Sequence, residues 1–195
     1  CPGLPNWEAL KECAEVFATP ETMPNGRFVD YPAEWGTLNV NRIEALGLEL
    51  SSVPAGSEGA MIAEIKSAVA RKDPLIMQFW APHWMHAEVD MEIVQLPPYE
   101  DGCYDDPAWG INTGLTYDCD WEIGYIKKMV WVGMKDKWPA AYKLLQNYIL
   151  TNADQEPMMA AIDLNGEPLE EVTKAWVDAN EARWRPWVDA AEAGS

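Results

Sequence analysis

Residues 75–86 read Leu75-Ile76-Met77-Gln78-Phe79-Trp80-Ala81-Pro82-His83-Trp84-Met85-His86. The first five, apolar but for Gln78, form a run of strand length, suited to a strand buried on both faces. Asp73-Pro74 breaks whatever precedes it. Upstream, Ser57 is a fitting N-cap for a helix that carries Met61, Ile62, Ile65 and Val69 inward. Val53 to Ser57 reads as a loop. Arg27 to Asp30 is a second short β-like segment, ended by Tyr31-Pro32. Between these strands, Asn39 to Leu46 reads as a helix with Val40, Ile43 and Leu46 on one face. Leu10, Ala14 and Phe17 recur at helical spacing after the Pro5-Asn6 start signal. Downstream, Met91, Ile93 and Leu96 suggest another strand, stopped by Pro97-Pro98, and Met129 to Met134 a further one. Tyr99 to Tyr117, rich in Gly, Pro, Asp and Cys, has the look of a long functional loop. Pro139 to Leu150 reads as an amphipathic helix burying Ala141, Leu144, Leu145, Tyr148 and Ile149. A last helix uses Leu169, Val172 and Trp176, and a Trp-bearing tail from Trp184 to Val188 follows. Strands alternating with helices predict an α/β architecture.

At 195 residues the chain makes one large domain or two small lobes. Its 14 Lys plus Arg against 32 Asp plus Glu give a net charge of −18. That balance excludes a nucleic-acid binder, which needs cations to displace counterions from phosphates. It equally disfavours docking on an anionic membrane surface. No apolar run reaches the length that spans a bilayer. The 11 Trp against 3 Phe exceed what packing alone would use, and point to flat aromatic surfaces for binding.

The chain opens Cys1-Pro2 without an initiator Met, so it is expected to be processed or to be part of something longer. Four cysteines allow three pairings. The local one, Cys1 with Cys13 and Cys103 with Cys119, is favoured because each pair flanks a Pro/Gly-containing stretch that a bridge would pin. Zinc is the competing reading. There is no C-x-x-C, however, and His83 and His86 alone do not give the close ligand spacing of structural zinc, so no metal is expected. Two disulfides on an acidic chain suggest an oxidising compartment such as a periplasm.

Two loops carry the chemistry. Tyr31-Pro32-Ala33-Glu34-Trp35-Gly36-Thr37 and Phe79 to His86 each follow a short strand and place a Trp at its carboxyl end, where α/β sheets bind ligands. The first also opens a helix, so the N–H groups of Gly36 and Thr37 are placed to meet an anion such as a carboxylate. Gly36 lets a ligand approach the backbone closely. Glu34 reads as solvated and His86 as structural or exposed. Trp84 reads as packing, as do Trp109, Trp121, Trp131, Trp138, Trp176, Trp184 and Trp187.

Trp80-Ala81-Pro82-His83-Trp84 resembles the W-x-P-H-W segment of bacterial binding proteins for glycine betaine and related quaternary amines, the substrate-binding components of ABC importers. Asn25-Gly26-Arg27 through Trp35-Gly36 is similar to that family's second aromatic loop. Ser57 to Met61 is similar to its lead-in to the motif, and Lys143-Leu144-Leu145 with the final Trp-rich helix to its C-terminal region. The resemblance implies a type II periplasmic-binding-protein fold of two lobes closing on a ligand, with no enzymatic activity and no cofactor. It implies that Trp35 and Trp80 are cage walls and that the Gly36 and Thr37 amides hold the ligand carboxylate. His83 matches a position that serves the carboxylate in some members. The implied partners are a small quaternary amine or sulfonium osmolyte (glycine betaine, choline, carnitine or proline betaine) and the importer's membrane permease. The chemistry agrees. A trimethylammonium has no N–H to recognise, and aromatic faces supply both a negative quadrupole and apolar contact.

Family members carry a further segment before the point matching Cys1. The resemblance therefore implies a ligand-binding second lobe at 1–91 and a return segment at 92–195 belonging to an incomplete first lobe. The helix faces at Leu144, Leu145, Ile149, Val172 and Trp176 would then lack their cover, which predicts self-association or pairing with the protein's own N-terminal segment. The alternative is an extracellular carbohydrate-binding or carbohydrate-active protein using its Trp residues as platforms. Against it, no carboxylate pair sits on facing strand ends, and neither G-x-S-x-G nor H-E-x-x-H occurs.

Overall fold

Gly26–Asp30 forms β1, the middle strand of a three-stranded parallel sheet in the order β2-β1-β3. β2 is Leu50–Pro54, in register with Gly26 opposite Leu50 and Asp30 opposite Pro54. β3 is the short Ile76–Met77, opposite Phe28 and Val29, and the Gln78 N–H continues the ladder to the Val29 carbonyl at 2.9 Å. The structure, a computed structural model, describes residues 1–36 and 38–193. It comprises two compact units: Cys1–Phe79 with Glu92–Ile123, and Trp80–Met91 with the chain from Gly124 onward. These units are not the 1–91 and 92–195 lobes implied by the resemblance, and that lobe division remains a proposal.

In the first unit, Asn6 caps a 3-10 turn, Trp7–Ala9, that leads into α1 (Leu10–Cys13) and a second 3-10 turn, Ala14–Phe17. The helix expected there is thus broken into short pieces. Leu10, Cys13 and Ala14 nonetheless form the core with Leu50 and Ile76. A Cβ on Gly26 would lie 2.2 Å from the Ala14 carbonyl oxygen, so only glycine lets β1 pass this close to the segment. Crossovers α2 (Asn39–Ala45) and α3 (Glu58–Arg71) connect the parallel strands. Ser57 caps α3 as expected, its Oγ accepting from the Ala60 N–H at 3.1 Å. Met61, Ile65 and Ala68 are buried, whereas Val69 faces out.

α2 departs further from its apolar pattern. Val40 is exposed, while Asn39 and Arg42 are 3% exposed and turn inward with Ala45 and Leu46. Buried polar partners, described below, outweigh one valine. β2 also escaped the sequence reading, because Pro54-Ala55-Gly56 masks a strand that ends at its proline. The strand expected around Met91–Leu96 is absent. Gln95 makes one isolated bridge to Asn6 instead, and Pro97-Pro98 leave no room for a longer ladder. The stretch from Tyr99 to Tyr117 is a series of turns without helix or strand. Both disulfides pair locally, with Cα separations of 5.4 Å for Cys1–Cys13 and 6.4 Å for Cys103–Cys119.

The second unit is helical: α4 (Met85–Glu88), α5 (Met134–Lys137), α6 (Pro139–Asn147), α7 (Asn152–Met159), a π turn at Ala160–Leu164, α8 (Leu169–Ala179) and α9 (Glu181–Ala193). α6 packs on α9, and α4 on α7. The Trp-bearing tail is thus part of α9. Leu144, Leu145 and Tyr148 turn inward from α6 and its end, but Ala141 and Ile149 are exposed. Residues 124–131 form neither helix nor strand. The strand expected at Met129–Met134 is absent: 129–131 have no ladder partner among the described residues, 132–133 turn, Met134 opens α5, and Met129 is 92% exposed.

Candidate ligand-binding site

The parallel sheet fixes where ligand loops can stand, because all three strands end on the same edge. β1 delivers Asp30 to that edge, and the chain then turns through Tyr31 and Pro32 into a 3-10 turn at Ala33–Trp35. The turn is closed by the Trp35 N–H on the Pro32 carbonyl at 2.9 Å and the Gly36 N–H on the Ala33 carbonyl at 3.2 Å. Gly36 has φ of +74°, a conformation that favours glycine. A side chain there would meet nothing within 4 Å, so the backbone is open to approach. Trp35 is 49% exposed, with its ring 5.5 Å from that of Tyr31. Burial pushes the Tyr31 hydroxyl above its usual range. The expectation that the Gly36 amide points at an anion meets a competing acceptor, the Ala33 carbonyl. Thr37 lies outside the described residues.

Trp80, Ala81, Pro82 and His83 open the second unit. His83 is 2% exposed. Its Nδ1 accepts the Met85 N–H at 3.0 Å, so the neutral ring carries its proton on Nε2. The His83 ring meets Trp80 edge-on at 5.1 Å and lies tilted against Trp84 at 5.1 Å. The Trp80 carbonyl is joined to His86 Nε2 at 3.0 Å. Trp84 is buried, as its packing role required, and Trp80 is half-buried. The structure thus brings Trp80 and His83 together in one unit and places Trp35 and Gly36 in the other.

Sequence reasoning missed a buried polar cluster behind the first loop. Asp30, fully buried, accepts from the Tyr31 N–H at 2.8 Å, Asn39 Nδ2 at 2.8 Å and Ser52 Oγ at 2.7 Å. Arg42 donates from Nη1 to Asn39 Oδ1 at 3.1 Å and from Nε to the Cys119 carbonyl at 2.6 Å. Burial pushes the Arg42 guanidinium down from its usual value, opposed by Tyr104, Asp120 and Asp30. Its guanidinium carbon sits 4.5 Å from the centre of the Trp121 ring, and Trp121 Nε1 donates to Gln78 Oε1 at 3.1 Å. The apolar face at Val40, Ile43 and Leu46 gave no signal that Asn39 and Arg42 would turn inward.

A cavity of about 330 Å³ in the second unit is lined by Leu144, Leu145, Tyr148, Trp176, Trp184 and Trp187, among others. Its aromatic rings already meet cations: Lys128 over Tyr148, Arg183 over Trp176 and Arg185 over Trp184. A second cation is disfavoured there. Among the described residues, no group of three or more His, Cys, Asp or Glu is placed to hold a metal ion. No described helix is long and apolar enough to cross a membrane.

Residues 1–179 match the family described as the substrate-binding domain of ABC-type glycine betaine transport systems. The chain is 32% identical over 192 residues to a trimethylamine N-oxide-binding protein of Pelagibacter ubique, covering 96% of this chain and 59% of that protein. It is 27% identical over 136 residues to a glycine betaine/carnitine transport binding protein of Listeria monocytogenes, covering 70% and 39%. The chain therefore spans less than two thirds of either relative. Among solved structures, lactococcal OpuAC with glycine betaine superposes at a TM-score of 0.50 and 21% identity, covering 83% of this chain and 57% of that one. A choline-binding protein with choline superposes at 0.51 and 20%, covering 99% and 61%. These neighbours share the periplasmic-binding-protein fold expected from the sequence. The match across nearly the whole chain places this protein in the family of substrate-binding domains of ABC-type glycine betaine transporters.

Proposed function

We propose that the chain is the ligand-binding portion of an importer's substrate receptor, capturing a small osmolyte with a methylated cationic head. Trp35 and Trp80 supply cage walls, and Gly36, Thr37 and His83 serve the ligand's anionic end. The observation that carries this reading is the Trp80–His83 pair, an indole braced edge-on by a buried imidazole. The brace holds one aromatic face fixed before a ligand arrives, which lowers the ordering cost of binding. The Gly36 N–H bond to Ala33, at 3.2 Å, is at the long end for a backbone hydrogen bond and can be shared with an incoming oxygen. The ligands named for the two relatives, trimethylamine N-oxide and glycine betaine/carnitine, share a trimethylated nitrogen.

The transport partner is proposed to be a membrane permease, and the compartment an exported, oxidising one, in keeping with the two disulfides. Calorimetry with glycine betaine, choline, trimethylamine N-oxide, dimethylsulfoniopropionate and a panel of oligosaccharides tests the proposal. Glycine betaine is expected to bind more tightly than choline by about 1.5–3 kcal/mol, the contribution of charge-assisted bonds to a carboxylate. Heat released by oligosaccharides alone would replace this reading with the carbohydrate one. Tighter binding of choline would remove Gly36, Thr37 and His83 from the carboxylate role.

A further inference from the structure

The Asp30 carboxylate touches both ends of the loop that carries Trp35. Oδ1 accepts from the Tyr31 N–H, where the loop leaves β1, and from Asn39 Nδ2, where the chain enters α2. Oδ2 accepts from Ser52 of β2. Asn39 also reaches Gln78 Oε1 at 3.4 Å, at the end of β3 and two residues before Trp80 in sequence. The carboxyl ends of β1 and β3 and the middle of β2 therefore meet in one hydrogen-bonded cluster around the buried Asp30. Arg42 holds Asn39 from behind, its Nη1 on the Asn39 oxygen directing the amide nitrogen toward Asp30. We propose that Asp30 is a positioning residue for ligand capture, holding Tyr31 on one side and Asn39 on the other so that Trp35 and Gly36 stand ready at the sheet edge. The inference rests on the reading of Trp35 as a cage wall.

A buried carboxylate is a costly way to close a loop unless its acceptors are all used, and a neutral amide retains only part of the pattern. Three variants separate clasping from plain stability. Asp30→Ala removes the bonds from Tyr31, Asn39 and Ser52 together. Asp30→Asn keeps the Oδ1 acceptor, and its amide can donate to Ser52 Oγ. Ser52→Ala removes only the tie to β2. The readouts are amide hydrogen exchange of the 195-residue chain without ligand, and calorimetric titration with glycine betaine. Asp30→Ala is expected to speed exchange at Tyr31, Trp35 and Gly36 by about tenfold or more while the β1 and β2 amides stay protected. Its affinity should fall by about tenfold, with most of that restored in Asp30→Asn. Ser52→Ala should leave loop exchange and affinity near wild type even where it lowers the unfolding midpoint. If Asp30→Ala does not fold, Asn39→Ala, which cuts one end of the clasp, should give the same loop-confined change. Loop exchange unaltered in Asp30→Ala, or altered equally in Ser52→Ala, would overturn the clasp. Should the wild-type chain bind no methylated amine while the exchange result holds, the ligand reading fails and the clasp stands.

Discussion

At the scale of single residues, the decisive quantity is the worth of one aromatic face to a cation that cannot donate a hydrogen bond. A desolvated cation–π contact contributes about 2 kcal/mol, or roughly thirtyfold in affinity. Trp80→Ala is therefore expected to weaken glycine betaine binding by about that factor. Trp131→Ala should bind as wild type, because Trp131 is 61% exposed and lies in the irregular stretch 124–131. Circular dichroism establishes that both variants fold before titration. Equal affinities in the two would remove Trp80 from the site.

At the scale of elements, α7 shows how one side chain joins two helices. Asp154 accepts from the Thr151 N–H at 2.8 Å and from Thr151 Oγ1 at 2.7 Å, closing the start of α7. It also pairs with Arg183 of α9, the second of two contacts being 2.9 Å. The Arg183 guanidinium, aided by Thr151, holds the Asp154 carboxyl well below the usual carboxylate range. A carboxyl with a depressed folded value stabilises the fold above its unfolded value. That contribution is lost as pH falls through the folded one. The second unit should therefore lose stability progressively below about pH 4. Asp154→Asn should unfold at lower temperature than wild type at neutral pH, and the difference should shrink toward about pH 2. Thermal unfolding followed by circular dichroism across this range checks it. A constant difference at every pH would assign the effect to packing and not to charge.

At the scale of the whole molecule, the exposed apolar side chains concentrate in one stretch. Tyr125, Ile126, Met129, Trp131 and Val132 of the second unit are each more than 60% exposed. Only Lys127 and Lys128 interrupt them with charge, against a chain of net −18. A patch of this kind drives association. Light scattering of the 195-residue chain is expected to show a mass that rises with concentration. Ile126→Asp combined with Met129→Asp should return it to a monomer. A monomer at all concentrations in the unaltered chain would show that this stretch folds onto the molecule in solution. Addition of a polypeptide matching the portion of the relatives that this chain lacks should compete with self-association for the same surface.

Local chemistry determined much of this protein. Ser57 capped α3, because an N-cap needs only its own first turn. The cysteine spacings favoured the two local bridges that formed, and the strand ahead of Trp80 formed within the run Leu75–Phe79. The W-x-P-H-W order carried the family. Tertiary structure decided what depends on partners distant in sequence. α2 turned Asn39 and Arg42 inward instead of Val40, because the Asp30 carboxylate and the Cys119 carbonyl accept from them there. Residues 129–134 had the composition of a strand, but a strand exists only by hydrogen bonding to a neighbour, and none of the described residues supplies one. The sequence shows His83 only as a residue between Pro82 and Trp84. Only the folded chain shows it buried against Trp80 and Trp84, with its Nδ1 closing the turn onto Met85, because a ring's tautomer is set by the partner that folding brings to it.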